Sequence, residues 1–93
     1  MIGLWNVYDG RRRRFVQRTC VNRGRYNIPI GALYVTWTSE AEKAKGYKQQ
    51  SFAARMAARL NTQVGKKVCR VVGEAEATEI ERENLRAMRG LGT

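Results

Sequence analysis

The 93-residue chain has no histidine, one proline and two cysteines. Without histidine it lacks the commonest general base, the usual activator of a serine or cysteine nucleophile and the commonest zinc ligand. Cys20 and Cys69 stand far apart with no second pair, so no zinc-binding spacing exists. Carboxylates are scarce over most of the chain: residues 1–73 contain only Asp9, Glu40 and Glu42. Asp9 reads as a turn residue, and Glu40 and Glu42 as parts of a solvated loop, which leaves too little for a carboxylate-based metal nuclease. No glycine-rich phosphate loop is present. These absences point away from an enzyme and away from any cofactor or bound metal. No apolar stretch approaches the roughly 20 residues that cross a bilayer. The opening Met-Ile-Gly-Leu-Trp lacks the charged start and long apolar run of a secretion signal. The expectation is a cytoplasmic protein without a membrane partner, its two thiols buried and free. A cross-strand disulfide would require export.

Positive charge is what the chain has in excess. Eighteen Lys and Arg oppose eight Asp and Glu, a net +10. The excess is uneven: residues 1–73 hold fifteen basic groups against three acidic, and residues 74–93 hold three against five. Arg outnumbers Lys thirteen to five, and Arg is the side chain that grips phosphate or carboxylate with two parallel hydrogen bonds. Solubility alone needs neither so much charge nor so much Arg. A field of one sign this large attracts polyanions. Apolar residues still make up 43% of the chain, enough for a core.

Residues 2–8 are rich in aromatic and branched side chains and read as a strand. Asp9-Gly10 signals a turn, and residues 13–21 supply the return strand of a hairpin. Residues 22–31 read as a loop. In the next strand Leu33, Val35 and Trp37 alternate with Tyr34, Thr36 and Thr38. Residues 39–48 are small and polar, a loop or short helical turn. Ser51 is placed to cap a helix running to about Asn61, with Phe52, Met56 and Leu60 beside Ala53 and Ala57 as its apolar stripe and Arg55 and Arg59 on its flanks. The aromatic residues Trp5, Trp37 and Phe52 are expected in the core. Gly65 resets the chain before a last strand at 66–72. The fold class expected is α+β: a three- to four-stranded, mainly antiparallel sheet with one packed helix (β-β-β-α-β), followed by a C-terminal helix. Residues 1–73 form the basic α+β domain and residues 74–93 a charged helix and tail. That helix has acid at its start, base at its end and Gly90 as its stop, as the macrodipole favours. Its thin stripe of Ile80, Leu85 and Met88 leaves weak docking, protrusion or a homodimer open.

The candidate site is arginine-rich. Arg11, Arg12, Arg13 and Arg14 crowd the hairpin tip, and Arg18, Arg23 and Arg25 extend the run. Alternation puts Arg12, Arg14, Val16, Arg18 and Cys20 on one face of the second strand, with Arg13, Phe15, Gln17, Thr19 and Val21 on the core side. Three arginines on one pleated face are hard to bury and suited to phosphates. Lys66 and Lys67 join them if the last strand lies close, and Tyr26 is the aromatic placed to stack on a base.

The stretch Leu33 to Val72 resembles a pattern found among small proteins encoded by phages and prophages: a strand ending in Trp37-Thr38, a loop carrying Ala44 and Tyr47, a helix with Ala54 and Ala58 ending in Leu60-Asn61, and the valine-rich strand Val68 to Val72. The resemblance covers less than half the chain and implies an accessory protein of a mobile element, a group that includes anti-CRISPR proteins. The order of elements is also similar to the arm-binding domains of some phage integrases, although their aromatic and lysine signature before the helix is missing here. Two functions are therefore expected: a non-enzymatic accessory protein that binds nucleic acid through the arginine hairpin, or an inhibitor that docks on an acidic surface of a host protein.

Overall fold

The computed structural model describes residues 4–21 and 32–91. Four strands, β1 (Trp5–Asp9), β2 (Arg14–Val21), β3 (Leu33–Thr38) and β4 (Cys69–Gly73), form one sheet in the order β3-β2-β1-β4, every neighbouring pair antiparallel. Helix α1 (Gln50–Val64) joins the two edge strands, and α2 (Glu74–Leu91) follows β4 directly. The α+β class read from the sequence is the one observed.

Each face of the sheet carries its own buried core. Val7, Val16, Leu33 and Cys69 pack under Ala53, Ala57 and Leu60 of α1, with Trp5, Val35 and Trp37 partly buried around them. On the opposite face Tyr8, Phe15 and Val72 pack under Ala77 and Ile80 of α2. The Tyr8 and Phe15 rings meet at 5.0 Å. This explains why Asn6 to Asp9 are all buried in succession: a central strand covered on both sides shows no alternation. The first half of α2 thus shares a core with the strands.

Strand β2 pairs with β1 only at Tyr8–Phe15 and Asp9–Arg14. A bulge between Val16 and Arg18 then inserts Gln17 as an extra residue, and β2 continues against β3 alone. The gap beside the start of β1 is filled by the chain after β3. Lys45 N–H donates to Val16 O (2.8 Å), Tyr47 and Trp5 exchange both backbone bonds (2.8 and 2.9 Å), and Asn6 Nδ2 donates to Lys45 O (2.9 Å). A Cβ at Gly46 would lie 2.6 Å from Leu4 Cδ1, so any larger residue there requires the Leu4 side chain to turn aside.

Helix α1 differs from its expected limits at both ends. Gln49, not Ser51, occupies the N-cap position, with no side-chain cap. The helix continues to Val64, where Gly65 takes a left-handed conformation (φ 82°). Gly65 and Lys66 N–H then both donate to Asn61 O (2.8 and 3.2 Å), closing the last turn. Phe52 is not core: it is 47% exposed, because Ala53, Met56, Ala57 and Leu60 already define the buried arc. Arg55 and Arg59 reach solvent as expected. Helix α2 runs through Gly90 instead of stopping there. Cys69 is buried and Cys20 exposed, both as free thiols, so the expectation of two buried cysteines fails for Cys20. Among the described residues no helix is long and apolar enough to cross a membrane.

Candidate nucleic-acid interface

The hairpin turn is built on Asp9. Its carboxylate is 1% exposed, and Oδ1 accepts the backbone N–H of Arg11 (2.8 Å) and Arg12 (3.0 Å), an Asx-type closure. Its other oxygen, Oδ2, meets Arg12 Nε at 3.3 Å, and the Arg12 guanidinium lies 5.0 Å over the Trp37 ring. Asp-Gly suggests that glycine takes the left-handed position of the turn. Instead Arg13 does so (φ 55°), and its carbonyl accepts a long contact from Asn84 Nδ2 of α2 at 3.5 Å. The same amide group approaches the Tyr8 hydroxyl at 3.4 Å, so Asn84 joins α2 to the hairpin.

The arginines therefore divide. Arg12 is committed to the turn by charge and by stacking. Arg11, Arg13 and Arg14 are exposed, and none has a carboxylate within ion-pair distance among the described residues. Among the described residues the cations ahead of α2 meet its glutamates at one point, Arg70 with Glu76 (3.0 Å). The β1–β4 register brings Lys66 and Lys67 to the same end of the sheet: Asp9 pairs with Cys69, and Gly10 N–H donates to Val68 O at 3.0 Å. Both lysines are exposed. Five cations, Arg11, Arg13, Arg14, Lys66 and Lys67, thus frame one pole of the molecule.

The expected single face of Arg12, Arg14, Arg18 and Cys20 does not form. The bulge at Gln17 resets the alternation, so Val16 opposes Trp37 on the α1 face while Arg18 opposes Thr36 and Cys20 opposes Tyr34 on the other face. Phe15 and Val16, expected on opposite sides, are both fully buried because each side has its own helix. Arg18 stays exposed but is separated from the hairpin tip. Arg23, Arg25 and Tyr26 lie outside the described residues.

Cys69 sits under the same turn and carries no chemistry there. Burial, reinforced by the Asp9 carboxylate and partly offset by Arg12 and Arg11, pushes its thiol up to about 11, so it stays protonated and a poor nucleophile at neutral pH. Two side chains that set the pole's geometry escaped sequence reading. Asn61 Oδ1 accepts the N–H of Val68 (2.9 Å) and Cys69 (2.7 Å) while its Nδ2 donates to Cys69 O (3.0 Å). Gln63 pairs in the same two-way manner with the backbone of Leu33 (2.8 and 2.9 Å). Only the Leu-Asn pair ahead of a valine-rich strand hinted at the first. Comparison with protein-family models, curated proteins and solved structures finds no match to this chain.

Proposed function

We propose that the protein binds nucleic acid without catalysis, through phosphate contacts made by Arg11, Arg13, Arg14, Lys66 and Lys67, as an accessory protein of a phage or other mobile element. The mobile-element origin rests on the resemblance of Leu33 to Val72. The binding rests on one observation: the hairpin's single carboxylate is buried and consumed by Arg12, and the remaining cations at that pole form no ion pair among the described residues. A turn meant only to protect a sheet edge would not need a stapled backbone beneath its exposed guanidinium groups. The fixed backbone holds them in one orientation, as a repeating phosphate chain requires.

The test is a salt-titrated binding assay on duplex DNA, single-stranded DNA and RNA. With about five phosphates neutralised, log K on duplex DNA falls against log salt with a slope near −4.5. Changing Arg11, Arg13 and Arg14 together to Ala makes that slope shallower by about 2.7 and leaves the fold intact, since Arg12 still holds the turn. Changing Arg55 and Arg59 on the outer side of α1 leaves it nearly unchanged. Absence of binding at micromolar protein and low salt sinks the reading. So does a nuclease-resistant stoichiometric complex with a host protein formed by a chain that ignores free nucleic acid.

A further inference from the structure

We infer that the protein forms a symmetric homodimer in which two copies of α2 pack antiparallel. The inference is independent of nucleic-acid binding and rests on the flank of α2 beside the side that Ala77 and Ile80 bury. Glu74, Thr78, Glu81, Leu85 and Arg89 recur at steps of three and four, so they line one side of the helix. The N-terminal half of that side, with Ala41 and Glu42 from the 3-10 turn Ala41–Lys43 that follows β3, forms an acidic depression around Glu42, Glu74 and Glu81. The C-terminal half forms a basic one, with Arg82, Arg86 and Arg89 around Leu85.

Among the described residues Glu42, Glu74, Glu81, Arg86 and Arg89 form no ion pair. They cannot satisfy each other within one chain, because Glu74 and Arg89 are held roughly 22 Å apart along a continuous helix. A second copy removes that constraint. With the twofold axis between Glu81 and Arg82, Glu74 faces Arg89 of the other copy, Thr78 faces Leu85, and Glu81 faces Arg82. Every contact occurs twice, as a twofold interface requires. A parallel arrangement would set acid against acid and base against base. The same pairing covers Leu85 and brings cover near Met88, which are otherwise 48% and 66% exposed beyond the point where Asn84 crosses the hairpin. The net +10 of each chain opposes association, so the dimer is modest in affinity and local charge pairing decides its register.

The experiment is sedimentation equilibrium of the full chain, stripped of nucleic acid by nuclease and high salt, from low micromolar to near-millimolar concentration in about 0.15 M salt. Wild type shows a monomer–dimer equilibrium. Glu74→Arg and Arg89→Glu each weaken it by about tenfold or more, since each places like charges opposite one another. An equimolar mixture of the two variants recovers wild-type association, because in the mixed dimer both contacts again join opposite charges. Leu85→Glu, which leaves the helix ends untouched, also abolishes the dimer while circular dichroism remains that of the folded chain. A monomeric wild type at every concentration overturns the proposal. Reversals without effect, or a mixture that does not recover, overturn it equally.

Discussion

Asp9 and Arg12 are adjacent to the same turn yet differ in kind from the arginines around them. Asp9 is a buried acceptor for two backbone N–H groups and a counter-charge for Arg12. Its replacement by Ala leaves two part-buried N–H donors unpaired and removes the ion pair of the half-exposed Arg12, so Asp9→Ala should cost about 1–3 kcal/mol. Asp9→Asn retains an acceptor oxygen and should cost about half as much. Urea unfolding measures both, and an unchanged midpoint for the Ala variant would mean the turn does not depend on this side chain. The Asp-Gly pair made the turn legible in the sequence. It did not reveal that Arg12 belongs to the turn and Arg11, Arg13 and Arg14 to the surface, because Trp37, which stacks on Arg12, is supplied by a strand 25 residues later.

The strands and helices were legible where one periodicity ruled. β3 alternates because only its α1 face is covered by Leu33, Val35 and Trp37, and α1 shows its Ala and Leu spacing for the same reason. β2 was misread because a bulge has no fixed sequence signature: Gln17 is an ordinary strand residue, and one extra residue exchanges the faces of all that follow. The polar anchors between elements were likewise hidden. Asn61 mimics a strand partner for the backbone of Val68 and Cys69, and so fixes where β4 begins and where Lys66 and Lys67 stand. Asn61→Ala should therefore lose about 2–3 kcal/mol by leaving two N–H groups without acceptors. Asn61→Asp keeps the acceptor for those two N–H groups but sets its second oxygen against the Cys69 carbonyl, so it should keep their protection while still losing stability. Amide hydrogen exchange at Val68 and Cys69 reads the effect directly, and continued protection in the Ala variant would contradict it.

Taken together, α1 covers one face of the sheet and α2 covers the other at β1, β4 and the start of β2, and this sets the energetics of the molecule. Ile80 under α2 and Leu60 under α1 are buried to a similar degree, 8% and 3% exposed. Ile80→Ala and Leu60→Ala should each cost about 2–4 kcal/mol in a single cooperative unfolding transition. A helix that merely protruded would tolerate the first change, so a silent Ile80→Ala in thermal denaturation would rule out the two-sided core. Charge is organised along the same axis. α2 begins at the end of the sheet remote from the hairpin and runs back to it, which sets its first glutamates far from the arginine pole; Glu83, beside Asn84, forms no ion pair with the hairpin arginines among the described residues.

Composition and local periodicity were enough to determine the α+β class, the number and order of the elements, and the accumulation of cationic residues before position 74, because each depends on residues near one another in the chain. The division of the arginines into one structural and several exposed groups, the second core beneath α2, and the meeting of Lys66 and Lys67 with the hairpin depend on strand register and on the order β3-β2-β1-β4. Those arise from contacts between segments 25 to 71 residues apart, such as Arg12 with Trp37, Asp9 with Cys69 and Arg13 with Asn84, and no local pattern encodes them.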